Sequence, residues 1–165
     1  MKGPAMTENL PEAAQRVAHA AEELGLSIRV LEMDESTRTA DDAAMACGCQ
    51  VAQIVKSLVF KGARTDTPYL LLVAGDNRVN ETAMESVLGE PLTRPDAKFV
   101  RDVTGFAIGG VAPIAHATQM VTVFDQDLLR HNVVWAAAGT PKCVFEVSPH
   151  ALAGATGAQI ASVTE

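Results

Sequence analysis

The sequence predicts a compact α+β (α/β) domain in which a mixed or antiparallel central sheet is flanked by helices. The chain has 165 residues, of which 48% are hydrophobic, and this is enough for one domain with a sizeable core. Segments with apolar residues at helical spacing alternate with short β-rich runs, and no repeat, linker or low-complexity segment separates them. We therefore treat residues 1–165 as a single domain.

The N-terminal part predicts a helix, a strand and a second helix. Pro11 to Leu24 has apolar residues at helical spacing, opens with proline and is followed by Gly25, which are matching start and stop signals. Ser27 to Met33 alternates as a strand does. Thr39 is then expected to cap an alanine-rich helix that runs to about Cys47.

The middle of the chain predicts the centre of the sheet. Ile54 to Lys61 and Tyr69 to Ala74 are β-rich runs separated by the polar segment Gly62 to Pro68, so we expect them to form an antiparallel pair. The remaining elements are shorter. We expect helices at Asn80–Leu88, Pro95–Val103, Gln126–Arg130 and Pro149–Thr156, and strands at Met120–Phe124, Val133–Ala137, Val144–Val147 and Ile160–Val163.

The charge of the chain limits its partners. A net charge of −7 argues against a protein that grips the nucleic acid backbone indiscriminately, and no DNA partner is predicted. The central third could still present a basic face on an acidic body, although scattered, solvated charges are the simpler interpretation. Its basic residues are Lys56, Lys61, Arg64, Arg78, Arg94, Lys98 and Arg101.

Cys47, Cys49 and Cys143 match no usual structural zinc spacing, so we interpret them as reduced thiols and predict neither a metal nor another cofactor. The sequence has no run of about eighteen apolar residues. Its N-terminus also lacks a basic region followed by an apolar one. We therefore expect a cytoplasmic protein without a membrane partner.

The segment TGFAIGGVAPIAH, from Thr104 to His116, sets two adjacent glycines and a proline into an apolar run. Glycine allows main-chain amides to approach a bound group, and proline fixes the backbone and removes a competing donor. The pattern is typical of a ligand-holding loop, but an ordinary turn uses the same residues.

Lys56 lies among apolar residues of a predicted strand. It could extend along the strand to reach water, as lysines often do. Alternatively, it supplies a positive charge at the rim of an apolar pocket, where a phosphate, a carboxylate or a developing oxyanion would be stabilised. Lys61, nearer the end of the strand, is more simply explained as solvated.

Three blocks together resemble the YbaK/prolyl-tRNA synthetase editing-domain family: KSLVF at Lys56, the TGFAIGGVAP loop, and AAGTPKCVFEVSP followed by Leu152 and Thr156-Gly157. They occur in the family's order and spacing. The resemblance extends from about Leu26 to the C-terminus. It implies a compact α/β domain that hydrolyses amino acids wrongly attached to tRNA, often proline tRNA.

The resemblance also implies site residues. Lys56 matches the family's functional lysine, and Gly109 to Pro113 matches its GxxxP substrate loop. Amides around Gly109 and Gly110 would then orient the aminoacyl carbonyl, while Lys56 would position the terminal phosphate or adenosine. The other candidate substrate-binding residues are Ser57, Val111, Ala112, Pro113, His116, Gly139 and Thr140, of which His116 is equally well explained as a structural histidine.

An aminoacyl ester is already activated, so this chemistry needs a bound water and a held carbonyl rather than a Ser-His-Asp triad. The sequence offers no defensible triad, because Ser57 has no adjacent base and the histidines are scattered. The nucleophile would be water, assisted by the tRNA ribose hydroxyl. Editing would occur in trans on the tRNA acceptor end, with a synthetase or elongation factor as a possible delivery partner.

A synthetase discriminates poorly against amino acids slightly smaller than its own. A second site, which admits only small side chains, corrects these charging errors. The expected order of substrates is alanine, then serine or threonine, then cysteine. Candidate residues for the lining of such a pocket are Ala107, Ile108, Val111, Ala112, Ile114, Ile28 and Val30, and an ordinary core explains the same residues equally well. Two other functions stay open: a non-catalytic module that binds a nucleotide, an amino acid or the tRNA end, and a hydrolase that uses Ser57 or Cys143.

Overall fold

A computed structural model describes residues 10–164, so residues 1–9 and 165 of the predicted domain lie outside the described part. It contains five α-helices and eight strands within that range. The helices are α1 (Glu12–Glu23), α2 (Ala40–Cys47), α3 (Glu85–Leu88), α4 (Ala97–Thr104) and α5 (Pro149–Thr156). The strands are β1 (Val30–Glu32), β2 (Ile54–Gly62), β3 (Pro68–Ala74), β4 (Leu92–Thr93), β5 (Val121–Asp125), β6 (Val134–Ala137), β7 (Cys143–Val147) and β8 (Gln159–Ala161).

The strands form one mixed sheet in the order β1-β7-β6-β2-β3-β5-β8, and β4 pairs with the end of β2. The central hairpin β2–β3 is antiparallel, as predicted, whereas β2–β6, β3–β5 and β5–β8 are parallel. The predicted fold class is therefore confirmed.

Local sequence signals account for the helix ends. Thr39 caps α2 by accepting a hydrogen bond from the amide of Asp42, and the helix stops at Gly48. Ser148 caps α5 in the same way, accepting from the amide of Ala151, with Pro149 in the first turn. Each capping residue lies three residues before the amide that it accepts from, so the signal is visible in the local sequence.

Besides shifts of one or two residues in the bounds, four elements differ from their predictions. Strand β1 is limited to Val30–Glu32, shorter than the predicted Ser27–Met33. The segment that begins at Asn80 forms turns first and becomes helical only at Glu85. Gln126–Arg130 is a 3-10 helix rather than an α-helix. Strand β4 was not predicted, because two residues are too few for a pattern and only the pairing with Lys61 and Gly62 defines the strand.

The sheet separates two apolar clusters. On one face, Val55 packs with residues that include Val17, Leu72 and Val111. On the other, Phe60 packs with residues that include Leu71 and Met84. Because side chains alternate along a strand, β2 contributes to both clusters.

Candidate functional site

A cavity of about 460 Å³ lies against the edge of β2 that faces away from β3. It exists because this edge changes partners. Ile54 and Val55 pair with β6, and Lys61 and Gly62 pair with β4, so the stretch between them has no neighbouring strand. The walls come from Thr37, Arg38, Thr39, Ala40, residues 54–60, Arg94, Pro95, Val100, Ile108, Gly109, Val111 and Ala137.

Four of the predicted site residues line this cavity: Lys56, Ser57, Gly109 and Val111. The KSLVF strand and the glycine loop, which are about fifty residues apart in the sequence, thus meet at one site. The other predicted residues are not among the residues that line the cavity. They are Gly110, Ala112, Pro113, His116, Gly139 and Thr140.

Lys56 is half-buried and held in place. Its Nζ donates a hydrogen bond to the main-chain carbonyl of Asn77, in the turn after β3. The Asn77 side chain in turn donates to Asp125 and Asp127, with N···O distances of 2.8 Å to each. Burial lowers the pKa of Lys56, Arg78 lowers it further, and the carboxylates of Asp76 and Asp125 oppose the shift. The ammonium is therefore a positioned charge rather than a freely moving one.

The two glycines of the loop have different roles. Gly109 has a φ of +96°, which favours glycine, and it faces the cavity. Gly110 is buried, and its amide donates to the carbonyl of Ala107 at 3.1 Å. A Cβ at Gly110 would lie 2.8 Å from the Cα of Thr140. Gly110 thus seats the loop against the Gly139–Thr140 turn, and Gly109 is the glycine that reaches the cavity.

His116 supports the loop through two contacts. Its Nε2 donates to the carbonyl of Ala112 at 2.7 Å, and its ring meets Phe106 edge-on at 6.3 Å between centroids. Burial lowers the pKa of His116, although the hydrogen bond to Ala112 opposes this. These contacts hold the loop in place.

Three cationic side chains line the cavity, namely Arg38, Lys56 and Arg94, and its lining includes no Asp or Glu. The Arg38 side chain packs over Gly109, where a Cβ would lie 3.1 Å from the Arg38 Nε. Arg94 forms an ion pair with Glu81 at 3.1 Å. Sequence reasoning missed Arg38, because nothing local shows that it meets a loop seventy residues later. The cavity is electrostatically suited to an anionic group.

A larger depression of about 730 Å³ lies between α1 and the β1–β7–β6 side of the sheet. It includes Glu22, Arg29 and Glu146, and none of the residues predicted to bind or react. Ile28, expected as a pocket residue, lies here instead. We place the candidate site in the smaller cavity because the lysine, the glycine loop and a lining with three cationic residues but no carboxylate meet there.

The cysteines do not resemble activated nucleophiles. Burial, with help from Cys49 and Glu146, raises the pKa of Cys47 to about 12, and burial also raises the pKa of Cys143. Between residues 10 and 164, no group of three His, Cys, Asp or Glu side chains could hold a metal ion. In the same range, no helix is both long enough and apolar enough to cross a membrane.

Comparison with known proteins identifies the family. The aminoacyl-tRNA editing domain model matches residues 34–155. A solved structure of a protein proposed to be a trans-editing enzyme for prolyl tRNA synthetase superposes with a TM-score of 0.88 at 45% identity, covering 94% of this chain and 99% of the other.

Two sequence relatives support the same grouping. The uncharacterized protein YwhH of Bacillus subtilis (strain 168) is 30% identical over 123 residues, which are 74% of this chain and 78% of YwhH. The proline–tRNA ligase of Thermoanaerobacter sp. (strain X514) is 30% identical over 106 residues, which are 61% of this chain but 18% of the ligase. The resemblance inferred from the sequence is thus confirmed, and the chain belongs to the aminoacyl-tRNA editing domain family.

Proposed function

We propose that this protein is a trans-acting aminoacyl-tRNA deacylase that hydrolyses the ester of a mischarged tRNA, most simply proline tRNA carrying a small non-cognate amino acid. The observation that carries the proposal is the meeting of Lys56, Gly109 and Arg38 in one cavity whose lining has no carboxylate. Such a cavity suits a ligand that brings phosphates and an ester. Membership of the editing family supports the same substrate class.

In the proposed reaction, water attacks the ester carbonyl, the bond between the carbonyl carbon and the ribose oxygen breaks, and a proton from the water passes to that oxygen, which releases the free amino acid and uncharged tRNA. The amide of Gly109 faces the developing oxyanion, and a single preorganised donor of this kind contributes a rate factor of about 10²–10³. Lys56 and Arg38 hold the phosphate of the terminal nucleotide. The terminal ribose hydroxyl assists the water, which is consistent with a cavity lining that offers no histidine or carboxylate as a base.

The apolar walls set the proposed selectivity. Val100, Ile108 and Val111 line the cavity, and a pocket of this kind rejects larger side chains by steric exclusion. Other residues proposed for the sieve lie elsewhere: Val30, Ala112 and Ile114 are buried in the core. The expected substrates are therefore small, in the order alanine, serine or threonine, and cysteine.

The test is deacylation of proline tRNA charged separately with alanine, serine, threonine, cysteine or proline, at catalytic protein concentrations. Rapid loss of one small non-cognate ester, with prolyl ester spared, is the expected result. A binding module would protect the esters or leave their lifetimes unchanged. Ester lifetimes unchanged across this panel and across a second panel of alanine, serine and threonine tRNAs would overturn the proposal.

A further inference from the structure

The open edge of β2 carries main-chain groups that lack partners. The amide of Gly62 donates to the carbonyl of Thr67, so Gly62 faces β3, and in an antiparallel pair the residues facing the partner alternate. Phe60, Leu58 and Lys56 therefore face β3 as well. Ser57 and Val59 direct their N–H and C=O groups the other way, into the cavity.

Pro95 explains why β4 does not cover this edge. Along the β2–β4 ladder, Ala63 donates to the carbonyl of Pro91, and Lys61 lies opposite Thr93. The next amide in this series, two residues beyond Thr93, would be that of residue 95 and would bond the carbonyl of Val59. Proline has no N–H to donate. At the other end, β6 stops pairing with β2 at Val55.

Ser57 adds a side-chain group to the same place. Its Oγ is the one buried side-chain nitrogen or oxygen between residues 10 and 164 without a hydrogen-bond partner. Buried polar groups are normally hydrogen-bonded, and exceptions need an explanation. Ser57 lines the cavity together with Val59, so a ligand bound there is the candidate partner for this hydroxyl.

The surroundings indicate what that ligand is. The lining residues on either side of this edge include Phe60 and Pro95, with the Arg94 guanidinium 5.9 Å from the centroid of the Phe60 ring, and such flat surfaces suit an aromatic base. The wall around Ser57 is more polar and includes Lys56. An outward-facing strand residue offers one donor and one acceptor, which complement N1 and the N6 amino group on the Watson–Crick edge of adenine.

We propose that the main chain of Val59 reads the terminal adenine of the substrate, while Ser57, through its main chain and Oγ, binds the attached ribose. This inference rests on the proposed function, because that function brings a terminal adenosine to the cavity. It adds a base-reading element that uses no side chain. The cationic residues Arg38 and Lys56 then lie within the same cavity as the nucleotide's phosphate.

The first test is amide hydrogen exchange, measured by NMR on the whole protein. Without ligand, the amides of Ser57 and Val59 should exchange quickly, and those of Leu58 and Phe60 slowly, because only the latter are paired with β3. Adding 5′-AMP should slow exchange at Ser57 and Val59. Slow exchange at all four amides without ligand, or protection by 5′-AMP only elsewhere, would overturn the inference.

The second test compares ligands that differ in one group. Purine riboside 5′-monophosphate lacks the N6 amino group, so it should bind about tenfold more weakly than 5′-AMP, as expected for one lost hydrogen bond. Equal affinities would overturn the assignment of Val59 to adenine.

A matched pair of variants tests the main chain directly. Val59→Pro removes an outward N–H but leaves the ladder to β3 intact, because Leu58 and Phe60 form that ladder. Val59→Ala also shortens the side chain but keeps the main-chain N–H. Binding of 5′-AMP should fall about tenfold more in the proline variant than in the alanine variant. Equal losses in two folded variants would overturn the inference; if Val59→Pro does not fold, the ligand comparison decides.

These binding readouts do not depend on ester hydrolysis. Protection of the Ser57 and Val59 amides by 5′-AMP, without deacylation of any charged tRNA, would overturn the proposed reaction and support this inference. Deacylation by a protein whose Ser57 and Val59 amides do not respond to 5′-AMP would overturn this inference and support the reaction.

Discussion

Lys56 is tied through its ammonium group to the main-chain carbonyl of Asn77, and Asn77 is tied through its amide group to the buried carboxylate of Asp125. The charge that lines the cavity is therefore fixed by the turn that follows β3. A positioned charge does not have to be reoriented during the reaction, which is the condition under which electrostatic stabilisation is most effective.

Replacing Lys56 with alanine should lower kcat/KM for deacylation by about 10²-fold, because the cavity loses a preorganised positive charge. Thermal unfolding should show that the variant is folded. Lys98→Ala is the control, because Lys98 is exposed on α4 and pairs with Asp102 outside the cavity. Unchanged deacylation by a folded Lys56→Ala variant would remove Lys56 from the mechanism.

Replacing Ser57 with alanine should leave the melting temperature unchanged or raise it, because the substitution removes a buried hydroxyl that has no partner. Deacylation should fall by about tenfold, the effect of one lost hydrogen bond, and remain well above the uncatalysed rate. A fall to the uncatalysed rate would instead indicate a serine nucleophile.

Ser148→Ala is a useful contrast to Ser57→Ala. Its hydroxyl caps α5, so its loss should destabilise the protein by about 1 kcal/mol. Because Ser148 does not line the cavity, activity measured below the melting transition should be unaffected. Ser57→Ala should thus lower activity but not stability, whereas Ser148→Ala should lower stability but not activity.

Gly110→Ala should destabilise the protein by about 1–3 kcal/mol, because the new methyl group would press against the main chain of Thr140. The loop would have to move, so deacylation should also fall. Gly154→Ala in α5 is the control: it meets nothing within 4 Å and should be neutral or stabilising. Denaturant unfolding gives the free energy of unfolding of both variants. Equal stability of the two would contradict the packing role of Gly110.

Glu90 should make the protein sensitive to acid. Its carboxylate accepts hydrogen bonds from Thr65 Oγ1 at 2.6 Å and Tyr69 Oη at 2.7 Å, and from the amides of Arg64 and Thr65. These bonds lower its pKa from 4.5 to about 2. The resulting stability is fully present above pH 4.5 and is lost as the pH falls from 4.5 towards 2.

Glu90→Gln should therefore lower the melting temperature at pH 7, and the difference from wild type should shrink between pH 4.5 and 2. Glu23→Gln, at an exposed position at the end of α1, serves as the control for the loss of one negative charge. A difference between Glu90→Gln and wild type that stays constant from pH 7 to pH 2 would show that the carboxylate does not stabilise the fold through its charge.

The features that the sequence predicted depend on residues close together in the chain or on sequence blocks that resemble the family. Thr39 and Gly48 end α2 through local hydrogen bonding and backbone conformation, and both signals are visible within ten residues. The KSLVF and TGFAIGGVAP blocks identified the strand and the loop that meet at the cavity.

What the sequence could not reveal depends on long-range pairing. The contact of Arg38 with Gly109 has no local signal, and the two-residue strand β4 exists only through its pairing with β2. The different roles of Gly109 and Gly110 could not be predicted either, because adjacent glycines are indistinguishable in the sequence. Only the position of Thr140 in the fold distinguishes them.

The uncovered stretch of β2 also bears on solubility. An exposed strand edge invites pairing with a second protein molecule, which leads to aggregation. Here the edge is a short interval between two paired ends, with Arg38 and Arg94 in the same cavity wall. Another chain would have to enter a recess and displace charged side chains to extend the sheet. The recess thus lets the molecule keep unpaired backbone available without offering a template for self-association.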